Sequence, residues 1–156
     1  MNPKAEPPEE TPQNCKEYVA DRFSFLYPED WGLYVPDSGK GVFIHKLPSA
    51  FIRVSEIPYN KFCCSIEEGI ERLEKGVYGL KLISARNLSV QGMKAKEIQY
   101  SFNENYLVGE RTMVISSLLM EREDSVFQID YQSLEEKQDE FLHVYGKVKD
   151  SLRFFD

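Results

Sequence analysis

Residues 23–31 read Phe23-Ser24-Phe25-Leu26-Tyr27-Pro28-Glu29-Asp30-Trp31. Phe23, Phe25 and Tyr27 alternate with Ser24 and Leu26, the period of a short strand with one aromatic face. Pro28 cannot donate to a sheet ladder, so pairing is expected to stop there. Glu29-Asp30 then turn the chain, and Trp31, its only tryptophan, is placed to fold back over the strand. The stretch fastens an N-terminal strand to a core and carries no catalytic pattern.

Outward from this ribbon, short strand patterns alternate with turn signals. Leu33–Val35 is closed by Pro36-Asp37-Ser38-Gly39, and Val42–Lys46 by Pro48. Phe51–Ile57 alternates cleanly and stops at Pro58. Residues 65–76 predict a helix, with Ser65 and Glu68 as a capping box and Ile66, Ile70, Leu73 and Val77 on one face. Leu80–Val90, broken at Gln91-Gly92, and Met93–Phe102 then read as extended. Asn103-Glu104-Asn105 reads as a hairpin turn. Tyr106–Met120 and Val126–Tyr131 complete an antiparallel meander around a charged turn at Glu121–Asp124. A second helix is expected over Leu134–Ser151, capped by Ser133 and Glu136, with Phe154 and Phe155 pinning its end. Each helix needs a surface on which to bury its stripe. The expected fold class is therefore α+β, an antiparallel β-sheet meander packed against helices. The aromatic ribbon and the closing helix are expected to grip opposite parts of that meander.

Residues 1–17 hold Pro3, Pro7, Pro8 and Pro12 and four glutamates, and no large aliphatic side chain beyond Met1. Such a stretch buries too little to offset ordering and reads as a disordered tail or linker. Residues 18–156 read as a single domain, large enough to bury ~68–70% of its unfolded surface. With 26 Asp and Glu against 19 Lys and Arg, the formal charge is −7, which argues against a nucleic-acid partner. Lys94 and Lys96 form the nearest basic pair and read as a solvated sheet face. Cys15, Cys63 and Cys64 have no disulfide-framework spacing and read as reduced thiols. No apolar run reaches the ~20 residues of a membrane span. The chain fits a cytoplasmic protein as written. It fits equally an extracytoplasmic, lipoprotein-like one if an upstream export or anchor segment was removed.

Recognisable chemistry is sparse. His45 and His143 lack metal-ligand partners at any familiar spacing and read as boundary or surface residues. A Cys64–His45 dyad is conceivable only in three dimensions. The carboxylate pairs Glu9-Glu10, Glu67-Glu68 and Glu135-Glu136, and the Glu121, Glu123 and Asp124 group, sit in the tail, at helix starts or in a turn, where acids serve capping and solvation. Gly39-Lys40-Gly41 lacks the rest of a P-loop. No catalytic, cofactor-binding or metal residue is assigned, no cofactor is expected, and no partner-binding residue can be named.

Phe23 to Trp31 resembles the start of PsbP-like domains, where an F-x-[FI]-x-[YF]-P-x-x-W pattern is typical. Val90-Gln91-Gly92-Met93-Lys94-Ala95-Lys96-Glu97-Ile98 is similar in type to the segment before that family's meander. Val126–Tyr131, the helix through Tyr145, and Ser151-Leu152-Arg153-Phe154-Phe155 take the places of the family's closing hairpin, acidic helix and Ser-Phe-x-Phe-like end, with Leu152 standing for a frequent Phe. The resemblance covers residues 18–156. It implies the fold shared by PsbP and the Ran-binding Mog proteins, an antiparallel sheet between helices (an α/β/α sandwich), and non-catalytic protein binding. It carries no functional residue over to this chain. Three readings follow: a binding or accessory module for another protein; a carrier or chaperone for a small apolar ligand or segment, in a pocket lined by Phe51, Tyr59 and Phe62; and an enzyme built on His45 or a converging carboxylate pair.

Overall fold

The structure is a computed structural model and describes residues 14–37, 41–59, 65–106 and 109–155. The strands are β1 (Cys15–Val19), β2 (Phe23–Pro28), β3 (Gly32–Tyr34), β4 (Val42–Lys46), β5 (Ala50–Pro58), β6 (Lys81–Val90), β7 (Met93–Tyr106), β8 (Gly109–Glu121), β9 (Ser125–Leu134) and β10 (Arg153–Phe154). Helix α1 spans Ile66–Gly76 and α2 spans Gln138–Ser151, after a 3₁₀ turn at Glu135–Lys137. Strands β3 to β9 form one antiparallel sheet in the order β3-β4-β5-β9-β8-β7-β6. The chain runs inward along β3-β4-β5, crosses with α1 to the far edge, and returns by a meander until β9 lies beside β5 along Ala50–Pro58. The expected α+β class and meander are therefore present.

The two sheet faces are covered differently. Alternation along β9 sends Phe127, Ile129 and Tyr131 into one buried cluster and Val126 into another. The first cluster also holds Phe141, Val144, Tyr145 and Val148 of α2, with Phe23, Phe25 and Tyr27 of β2. A small second sheet, β1-β2-β10, closes this side. Phe127 receives the ring of Phe23 edge-on at 5.0 Å and that of Phe154 at 4.9 Å. Trp31 is buried, its ring 5.6 Å from Phe141 in a T-shaped contact. Polar ties finish the seal. The Ser151 hydroxyl accepts the Leu26 N–H at 2.8 Å. Glu97 accepts from Arg86 at 2.7 Å, the Tyr145 hydroxyl at 2.9 Å and Lys149 at 3.0 Å. Desolvation would raise the Glu97 carboxyl, but the hydrogen bonds from Arg86, Lys149 and Tyr145 win and hold it below its ordinary range. On the opposite face α1 buries Ile66 against Ile98, Tyr100, Leu119 and Val126. The Tyr100 hydroxyl donates to Glu74 of the helix.

Several expectations need correction. The ribbon and the closing helix share one face instead of gripping opposite parts. Strand β1 takes up Cys15, Lys16 and Glu17 from the stretch expected as tail, because Cys15 to Val19 pair with Pro28 to Ser24 of β2; residues 1–13 lie outside the described residues. Asn103-Glu104-Asn105 is no turn. It continues β7, opposite Thr112, Arg111 and Glu110, and the Thr112 hydroxyl donates to Asn103 Oδ1 at 3.1 Å. Cross-strand pairing there overrides the turn preference of asparagine. Ser133 caps no helix. Strand β9 runs on through Leu134 because Ala50 and Val114 both pair with Ser133, and α2 starts later. The Ser65 cap is present: its hydroxyl accepts the Glu68 N–H at 3.2 Å. Arg153–Phe154 forms a strand on β2 that no sequence pattern announced.

Helix α1 approaches the sheet most closely at Gly69, where an added Cβ would sit 2.7 Å from the Leu119 Cδ2 methyl. Leu119 is fully buried and cannot swing away. Gly69→Ala is expected to lower stability by about 1–3 kcal/mol. Gly146→Ala, in α2 with nothing within 4 Å of the new methyl, is expected to raise it by about 0.5–1 kcal/mol. Urea unfolding followed by Trp31 fluorescence reads both.

Candidate functional site

An α-helix rises 1.5 Å per residue and strands lie ~4.8 Å apart, so α1 is about 16 Å long on a seven-stranded sheet about 29 Å across. It covers the β7–β9 side of its face, and among the described residues no helix covers the β3–β5 side. Strand pairing aligns the side chains of that open side in rows. One row runs Phe43, Arg53, Asp130, Ser117, Ile98 across β4, β5, β9, β8 and β7. The next runs His45, Phe51, Gln132, Ile115, Tyr100. Where the rows pass beneath α1 they leave a cleft of about 310 Å³, roofed by Gly69, Arg72, Leu73 and Val77.

Asp130 is the cleft's buried charge, 9% exposed. Ser117 Oγ donates to its Oδ1 at 2.6 Å, and Gln128 Nε2 donates to both oxygens, at 2.8 and 3.0 Å. Arg53 Nε stands 3.7 Å from Oδ2, an ion-pair distance without a hydrogen bond, and that nitrogen is buried with no hydrogen-bond partner. Burial pushes the Asp130 carboxyl above its ordinary range, opposed by the Gln128 and Ser117 hydrogen bonds and by the charges of Arg53 and Arg72. Both carboxylate oxygens thus accept from this chain's own donors. The polar floor of Asp130, Gln128 and Gln132 is also one that an apolar ligand would have to desolvate.

Toward the β3 edge the cleft opens onto an apolar surface lined by Leu33, Tyr34, Phe43, His45, Leu47 and Phe51. Tyr34 is 57% exposed and Leu47 69%. Phe43 packs between Tyr34 at 6.2 Å and Phe51 at 5.8 Å. His45 belongs to this surface. Its ring lies over the backbone of Gly32, where a Cβ would be 2.2 Å from the His45 Cε1.

Among the described residues, those considered from sequence do not assemble into one centre. His45 lies on the apolar surface, and His143 is exposed on α2 with Nδ1 3.1 Å from the Glu140 carbonyl oxygen. Cys63, Cys64 and Phe62 lie outside the described residues, and with them any Cys64–His45 dyad. Phe51 lines the cleft, but Tyr59 is eight positions on, about 26 Å in an extended chain. Its hydroxyl donates to the Arg122 carbonyl at 2.7 Å, at the β8–β9 turn. Phe51 and Tyr59 therefore do not line one pocket. Glu121 accepts the Ile66 N–H at the start of α1, whereas Asp124 pairs with Arg22 at 2.9 Å. These carboxylates are drawn to different partners. Sequence reasoning missed Asp130, Gln128, Ser117 and Arg72. The one available signal was the polar triple Gln128, Asp130, Gln132 at alternate positions of an otherwise apolar strand.

No family model matches this sequence, and no curated protein sequence matches it. Solved structures do. Cyanobacterial PsbP (CyanoP) from Synechocystis sp. PCC 6803 aligns with a TM-score of 0.64 at 14% identity, over 99% of this chain and 100% of that one. LpqN of Mycobacterium tuberculosis, described as involved in cell envelope biogenesis, aligns at 0.57 and 13% identity, over 92% of this chain and 93% of that one. A Pseudomonas aeruginosa protein of unknown function aligns at 0.53 and 13% identity, over 85% of this chain and 92% of that one. The chain is thus an α+β protein with the PsbP-like fold. At such identities the likeness is one of fold.

A group whose folded pKa is raised stabilises most below its unfolded value, and that contribution is lost as pH rises through the folded value. Asp130 is such a group, raised from 3.8. Wild type should therefore gain stability relative to Asp130→Asn as pH falls from about 7 to about 4.5. Urea unfolding of both proteins at the two pH values checks this; a difference that stays constant, or that grows in favour of the variant, contradicts it.

Proposed function

We propose that this chain is a non-catalytic binding or accessory domain that docks another protein on the open half of its second sheet face. One observation carries the reading: an exposed apolar surface of Tyr34, Leu47, Phe43 and Phe51 continues without a break into a cleft with charged and amide groups. Apolar anchors beside convergent polar groups are the anatomy of a recognition surface. An apolar-ligand carrier fits less well, since the floor of the cleft is polar. A hydrolytic or acid–base site fits less well too. The one deeply buried carboxylate among the described residues is engaged by Ser117 and Gln128, and neither histidine faces it. Among the described residues no helix is long and apolar enough to cross a membrane. The PsbP-like fold agrees with an accessory role by analogy only.

A photo-cross-linking amino acid at position 34 tests this in a native extract, with the same group at the exposed position 150 of α2, the helix packed on the other face, as control. Discrete protein adducts are expected from position 34 and not from position 150. Equal labelling at both positions, or none at 34, would overturn the proposal.

A further inference from the structure

The geometry points to an acidic side chain of a partner protein as the group this cleft receives, its carboxylate between Arg53 and Arg72 and its neighbouring apolar residue on Phe43 and Phe51. The inference rests on the docking face proposed above and names its occupant. The whole chain carries −7, yet the charged residues lining this cleft are two arginines and one aspartate. An anion entering here meets two guanidinium groups on an otherwise acidic protein.

Asp130 is committed to Ser117 and Gln128, so it gives Arg53 only a charge at 3.7 Å and no hydrogen bond. The Arg53 side chain is still 37% exposed at the mouth of the cleft. Guanidinium groups favour planar, bidentate partners, and a carboxylate supplies one. Arg72 is exposed on the helix that roofs the same space.

The shape of the lining favours a protein segment over a free anion. The lining continues past the arginines over Leu73, Phe51 and Phe43 to Tyr34 and Leu47. A small anion touches none of that surface, whereas a segment with an aromatic or branched residue beside its acid covers it. An anionic membrane surface is disfavoured by the net charge of −7.

The test is an NMR titration of the full chain with two blocked pentapeptides, Gly-Phe-Asp-Leu-Gly and the same peptide with Asn for Asp, and with inorganic phosphate. A charge-assisted hydrogen bond is worth about 1.5–3 kcal/mol, so the Asp peptide should bind roughly tenfold more tightly or better. It should move the Arg53 Nε–Hε resonance and the amides of Phe51 and Gln132. Arg72→Gln, a surface change that spares the fold, should erase most of that advantage, while Lys81→Gln on exposed β6 should not. Equal affinity for the two peptides, shifts confined to other surfaces, phosphate reproducing the response in full, or no response at millimolar peptide would each overturn the acidic occupant. Should adducts form at position 34 while the two peptides bind alike, the docking face stands and only its acidic occupant falls.

Discussion

The contact on which the rest of the structure depends is the edge-on packing of Phe23 and Phe154 against Phe127. Phe23 belongs to the second strand, Phe154 to the last, and Phe127 to the sheet between β5 and β8. One ring thus joins both ends of the fold to its middle. Arg122 stacks its guanidinium over Phe154 at 4.1 Å and reaches Glu56 at 3.1 Å, closing the same corner electrostatically. With that corner fixed, β10 pairs with β2, and α2 is held flat over β9 with Trp31 against Phe141.

Sealing one face has a consequence for the other. All the aromatic mass of β2 and all of α2 are committed to the first face, which leaves one helix of 11 residues for the second. That helix cannot span seven strands. Among the described residues this leaves open sheet surface, and its rows carry large rings and charged groups where a solvated strand would carry small polar ones. Asp130 shows the cost of the arrangement: a carboxylate partly roofed by α1, kept in place by Ser117, Gln128 and the charge of Arg53. It sets the polarity of the cleft floor and places a charge 3.7 Å from the arginine beside it.

Local structure was legible wherever a single residue fixes the backbone. Pro28, Pro48 and Pro58 marked the ends of β2, β4 and β5 closely, and the Ser65 cap marked the start of α1. Alternation of Phe23, Phe25 and Tyr27 announced a strand with a buried aromatic face. What sequence could not supply was pairing between distant segments. Nothing in residues 125–134 says that they lie beside residues 50–58, yet that register places Arg53 opposite Asp130 and creates the cleft. The same gap explains β10, whose two residues make sense only against Ser24 and Phe23. It also explains Asn103–Asn105, which looked like a turn because the partner Glu110–Thr112 was not in view. Asp130 is illegible in sequence for a related reason: its burial depends on where α1 crosses this strand.

One sheet face is sealed by aromatic packing and, among the described residues, the other is half open. Hydroxyl-radical footprinting of side chains measures this directly, because aromatic rings react strongly when water reaches them. Tyr34 and Leu47 should be oxidised readily in the native protein, with Trp31, Phe25 and Phe127 untouched until the chain unfolds. Rapid native-state oxidation of Trp31, or protection of Tyr34 equal to that of Phe127, would contradict the account.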